Sequence, residues 1–120
     1  MKKLTKAEEQ LMQLLWDLER AFMKDILDAY PVRPKQSTVS TLLGILRKKG
    51  FVDYEVFGKV HQYYPTVEKG AYAREQFGGF LSNYFDGSFQ KMLSFFHGKG
   101  DLDIHELDEL LERLKEDEKD

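Results

Sequence analysis

"QSTVSTLLGILRKKGFVDYEVFGKVHQYYP", Gln36 to Pro65, decides the fold. At 3.6 residues per turn, Val39, Leu42, Leu43 and Leu46 share one side of a helix over roughly Lys35 to Lys49, and that side must face a core. The opposite side holds Ser37, Thr41, Gly44 and Lys48, flanked by Ser40 and Ile45. A helix that only needed solvation would carry Glu and Lys there. Gly44 costs about 1 kcal/mol against Ala in a helix interior, a cost that close approach to another surface would explain. Small hydroxyls, Thr38 among them, suit contacts to phosphates or base edges, and a helix fits the major groove. Arg47, Lys48 and Lys49 add cations near the helix end; they equally suit the negative end of the helix dipole, so "RKKG" alone also reads as a favourable C-terminus.

Downstream, Gly50 is a natural C-cap. Phe51 to Phe57 then alternates Val52, Tyr54 and Val56 against Asp53 and Glu55, the period of a half-buried strand. Gly58-Lys59 is a two-residue turn with Gly first, as a type II′ hairpin requires, and Val60 to Pro65 returns as the partner strand. This pairing sets Tyr54 opposite Tyr63 and Val56 opposite His61, predicting one apolar face. Upstream, Thr5-Lys6-Ala7-Glu8 is a capping box. It opens a helix with Leu11, Leu14, Leu15 and Leu18 at helical spacing, widened by Met12 and Trp16. A short helix from about Met23 to Ala29 follows, and Pro31 and Pro34 bracket a loop. Helix, helix, helix, hairpin is the order of a winged helix-turn-helix, in which the third helix reads DNA. The hairpin would be the wing, laying Lys59 beside a phosphate.

The rest of the chain is helical. Glu68 to about Asp86 carries Phe77, Phe80, Leu81, Tyr84 and Phe85; Phe89 to Phe96 adds Met92, Leu93, Phe95 and Phe96; a last helix from about Asp103 shows Leu107, Leu110, Leu111 and Leu114. These are more apolar residues than a minimal three-helix core needs, which suggests burial against a second copy. The expectation is a mainly α chain with a small β-hairpin: a winged-helix DNA-binding domain over 1–68 and a C-terminal helical dimerisation region over 69–120.

Charge supports that division. The 120 residues carry a net charge of −3, but residues 1–69 hold 12 Lys/Arg against 9 Asp/Glu, +3, and residues 70–120 hold 6 against 12, −6. Any anion-binding surface belongs to the first half, while the acidic second half reads as a dimerisation region or as a solubilising tail. The absence of cysteine excludes disulfides and thiolate metal sites and fits a reducing interior. No apolar run reaches the roughly 18 residues that span a bilayer, and no signal-peptide core follows the start. These features indicate a cytoplasmic protein without membrane insertion. His61, His97 and His105 sit at no ligand spacing, and Glu106 occupies the glycine position of a would-be calcium loop, so no metal or cofactor is expected. No phosphate loop or nucleophile motif suggests an enzyme.

"LTKAEEQLMQLLW", "STVSTLLGILRKKGFV" and "KVHQYY", continuing through "FQKMLSFFHGKGDLDIHELDELLERL", resemble the BlaI/MecI family of penicillinase repressors over nearly the whole chain. The resemblance implies a homodimeric winged-helix repressor on a dyad-symmetric double-stranded DNA operator, controlling resistance-type genes. Ser40 stands where relatives often have Arg, and Gly44 is a second departure, so the resemblance does not carry an operator sequence over. The copper-responsive branch, which uses cysteine pairs, is excluded. The resemblance also implies a regulatory protease that cuts before a Phe in an L-N-F type segment. Leu93-Ser94-Phe95 matches it here, with Ser94 in place of Asn, so Ser94 and Phe95 would flank the cut. The competing reading is a winged-helix module for protein–protein contact without sequence-specific DNA binding.

Overall fold

Thr5 starts the first helix as the sequence requires: its Oγ1 accepts the Glu8 amide and the Glu8 carboxylate accepts the Thr5 amide, both at 3.2 Å. This computed structural model describes residues 1–98 together with His105, Glu109, Glu112 and Arg113. The elements are α1 (Lys6–Leu18), β1 (Ala21–Phe22), α2 (Met23–Ala29), α3 (Gln36–Lys48), β2 (Val52–Phe57), β3 (Val60–Pro65), α4 (Lys69–Phe85) and α5 (Phe89–Gly98). The expected Leu107, Leu110, Leu111 and Leu114 lie outside the described residues. The chain divides into two compact units, Met1–Glu75 and Gln76–Asp120.

In the first unit, Leu11, Met12 and Leu15 of α1, Ile26 of α2, and Val39 and Leu46 of α3 are fully buried around Phe51. Each such side chain contributes about 2 kcal/mol by leaving water. Leu18, on the same stripe as Leu11 and Leu15, is exposed instead, because α1 ends there and the chain turns away. Gly50 closes α3 with φ +83°; its amide bonds to the Arg47 carbonyl and the Phe51 amide to the Leu46 carbonyl. That is a Schellman ending, with Phe51 and Leu46 both buried beside it.

Gly58 has φ +63° and Lys59 does not share the left-handed region, the signature of the expected type II′ turn. The register holds too, with Tyr54 opposite Tyr63 and Val56 opposite His61. Two expectations about the hairpin need correction. The sheet has three strands in the order β1-β3-β2, since Ala21 and Phe22 pair with Tyr63 and Gln62. The apolar face is buried only at its base: Val52 is in the core, whereas Val56 is 60% exposed, because the hairpin extends beyond the helices.

Tyr72, in the first turn of α4, belongs to this core. Its hydroxyl donates to Glu9 at 2.9 Å, its ring lies 5.7 Å from both Trp16 and Phe51, and the Trp16 indole donates to the Val67 carbonyl at 2.8 Å. In the second unit, Ser88 caps α5 by accepting the Lys91 amide at 3.1 Å, and Phe77 meets Phe89 edge-on at 5.8 Å.

Candidate nucleic-acid interface

The outward side of α3 follows from the inward one. With Val39, Leu43 and Leu46 fixed in the core, Ser37, Thr38, Ser40, Thr41, Gly44, Arg47 and Lys48 are all exposed. Thr41 donates its hydroxyl to the Ser37 carbonyl at 3.0 Å, leaving its oxygen lone pairs outward as acceptors. A Cβ added to Gly44 would meet nothing outside its own helix within 4 Å. The glycine therefore answers to no packing demand among the described residues.

Three cations at the end of α3 have different situations. Lys49 turns inward: its Nζ donates to the buried Glu8 carboxylate and to the Lys3 carbonyl. It was expected to add to the outward charge and instead holds α1 against α3. Arg47 stays half-exposed but is engaged. Its Nε donates to Asp53 at 3.1 Å and its guanidinium lies 4.5 Å over the Tyr54 ring. The Asp53 carboxyl sits below its ordinary range, first because it accepts the Tyr54 amide and then because it accepts Arg47. Among the described residues no ion pair involves Lys48 or Lys59.

The hairpin is held at both faces. Tyr54 stacks on His61 with centroids 4.0 Å apart and planes 4° apart, continuing the contact that Arg47 begins. On the other face, Arg20 bonds Glu55 at 2.9 Å and Gln62 at 3.1 Å and covers Tyr64 at 4.5 Å. Arg47 thus links the hairpin to α3, and Arg20 links it to the segment between α1 and β1, through surface contacts that are individually weak.

The turn brings Lys59 back toward the start of α3. A groove of about 410 Å³ is lined from one side by Gln36 and Ser40 and from the other by Lys59, Val60, His61 and Tyr63. Farther along α3, Gly44, Arg47 and Lys48 line a second groove with Asp53 and Thr66. Of the expected residues, Ser40 and Lys59 therefore share one groove, Gly44, Arg47 and Lys48 line another, and Thr38 lines a third hollow with Ala7, Gln10 and Tyr30. Lys24, Gln36 and His61 join Ser40 and Lys59 without any sequence signal, since only the chain's folding back puts α2 and β3 beside α3.

The second candidate group is less uniform. Phe80 and Tyr84 are exposed, while Phe77, Leu81 and Phe89 are half-buried. In α5 Leu93 is buried, Ser94 is exposed and Phe95 is 49% exposed. No helix of the described residues is long and apolar enough to cross a membrane.

Three helices, a sheet-paired hairpin and an outward third helix of small polar residues define a winged-helix DNA-binding regulator. Solved structures share this fold: Bordetella bronchiseptica BpsR (TM-score 0.53, 19% identity, covering 95% of this chain and 79% of that one) and a mutant of MarR from E. coli (TM-score 0.51, 15% identity, 95% and 77%). The chain belongs to the penicillinase repressor family, whose sequence model matches residues 4–116. It is similar to the methicillin resistance regulatory protein MecI of Staphylococcus aureus (strain N315), 29% identical over 109 residues and 89% of each chain. The penicillinase repressor of Bacillus licheniformis is 27% identical over 114 residues, 92% of this chain and 88% of the relative. The protein is accordingly a transcriptional repressor and not an enzyme.

Proposed function

We propose that the protein acts in the cytoplasm as a homodimer, with residues 1–68 binding DNA and 69–120 dimerising, and that two copies of α3 and its hairpin occupy the half-sites of a dyad-symmetric operator. The observation that carries this reading is the groove in which Ser40 of α3 faces Lys59 of the hairpin. Ser37, Ser40 and Thr41 would contact base edges, Gly44 would let the helix backbone approach, and Lys48 and Lys59 would meet phosphates. The names of the relatives support control of genes of the β-lactam resistance type. The exposed aromatics of α4 support pairing with a second copy.

Selection of binding sites from random DNA by the purified protein tests the reading. The expected yield is inverted half-sites about one helical turn apart, or a multiple of it, bound with steep salt dependence. Recovery of no sequence would leave the protein–protein module instead.

Release would follow cleavage between Ser94 and Phe95, which removes the end of the dimerisation region and leaves two independent half-site contacts. The bond lies inside α5, so a protease would need that helix to open locally. Fragment sequencing after incubation with extracts of induced cells tests this step: a fragment beginning at Phe95 supports it, and intact protein during derepression excludes it.

A further inference from the structure

Of the residues that line the groove between α2, α3 and the hairpin, His61 alone is of a type that changes charge between about pH 5 and 8. Its ring is half-buried and lies flat on Tyr54, with centroids 4.0 Å apart, while Tyr63 meets it edge-on at 6.0 Å. The Tyr54 ring also carries the Arg47 guanidinium, 4.5 Å from its centroid. The charged residues lining the groove, Lys24 and Lys59, are exposed cations, and no carboxylate lines it. The carboxylates of neighbouring elements are engaged elsewhere: Asp53 with Arg47, Glu55 with Arg20, and Asp25 with the Phe22 amide. Among the described residues no ion pair involves His61. The ring is thus held in place beside cations, with no anion of the described chain to balance a charge of its own.

We propose that His61 is a further contact to the DNA backbone and takes up a proton from solvent when duplex binds, so that the repressor holds DNA more tightly as pH falls. The inference rests on the DNA-binding reading. Ser40 and Lys59 belong to that proposed contact and line the same groove, so the phosphate that Lys59 meets would lie at its mouth. An imidazolium donates a charge-assisted hydrogen bond to a phosphate oxygen, which a neutral ring cannot match. A negative charge arriving beside the ring therefore favours its protonated form. The sign follows from linkage. A group that gains its proton on binding strengthens the complex fully below the free protein's titration, and that gain is lost as pH rises through the titration of the complex.

The experiment titrates the full chain with a duplex recovered by site selection, at fixed salt, at about pH 6 and about pH 8. Wild-type affinity should fall about fivefold between the two, and His61→Gln should bind with one weaker affinity at both. The wild-type salt slope should be steeper at the lower pH by about one unit, and that of His61→Gln should be the same at both. NMR titration of the imidazole protons, with and without duplex, makes the test independent of the variant. The His61 midpoint should rise by about one unit in the complex, and by more than those of His97 and His105, which do not line the groove. Equal affinity at the two pH values, a pH dependence that His61→Gln retains, or a His61 midpoint raised no more than the other two would overturn the inference and leave the DNA reading standing. Absence of duplex binding at either pH would overturn both.

Discussion

Gly44 is the residue at which fold and function pull apart. Alanine in its place would meet empty space and recover helix propensity, so Gly44→Ala should raise the unfolding free energy by about 0.5–1 kcal/mol. If the outward face lies close against DNA, the same methyl should weaken duplex binding. Urea unfolding and fluorescence anisotropy on one preparation check both signs, and unchanged duplex affinity would remove the reason given for the glycine. Glu8 makes the opposite case, a charge that belongs to the fold. Burial pushes its carboxyl up, but Lys49 and the Thr5 amide outweigh that and leave it below its ordinary 4.5. A carboxyl lowered in the folded state stabilises at neutral pH and loses that contribution as pH falls from about 4.5 through the lower folded value. Lys49→Met should therefore destabilise by about 1–3 kcal/mol at pH 7, because it strands Glu8, and should flatten the acid limb of a melting-temperature profile. A profile parallel to that of the parent would show that Glu8 does not need Lys49. The sequence displays Arg47, Lys48 and Lys49 as equals; only their partners distinguish them, and partners 41 residues away leave no local mark.

At the scale of elements, what was legible in the sequence were the periodicities: the core stripe of α3, the capping box of α1, the glycine-first turn and the resulting register. β1 was not legible, because a two-residue strand is too short to alternate and exists only through its pairing with β3. Nor was the exposure of Val56, since alternation assigns a face without saying how far a core extends beneath it. The helix and hairpin should be separable in DNA binding. Lys48→Ala and Lys59→Ala should each weaken binding to all duplexes alike and lower the salt slope by about one unit. Arg47→Ala, which frees Asp53 and uncovers Tyr54, should instead loosen the hairpin and reduce discrimination between sequences more than the salt slope. If all three act only on the slope, Arg47 reaches phosphates and its contact with the hairpin is incidental. The anchoring of α4 offers an alkaline test. Burial, and then the bond to Glu9, push the Tyr72 hydroxyl up to about 12, so the stability it lends is lost as pH rises from about 10 toward that value. Tyr72→Phe should remove that alkaline sensitivity.

For the whole molecule, Phe80 and Tyr84 give the assembly prediction. Phe80→Asp with Tyr84→Asp sets charges where α4 shows exposed aromatics, and should yield a monomer by sedimentation while the first unit keeps its fold. Wild-type protein sedimenting as a monomer at tens of micromolar would refute the dimer. The excess of aromatic residues was plain in the sequence, but not which of them a lone chain leaves uncovered. A last consequence follows from the commitment of Arg47 to Asp53 and of Lys49 to Glu8. Of three adjacent cations, Lys48 alone makes no ion pair among the described residues, on a chain whose net charge is −3. If α3 faces DNA, adhesion to arbitrary sequence should be weak, and a chromosome offers about 10⁶–10⁹ such competing sites. A repressor that bulk DNA does not soak up remains available in the cell's free pool. On the proposed reading, a small number of copies would then keep one operator filled, and removing those few would be enough to empty it.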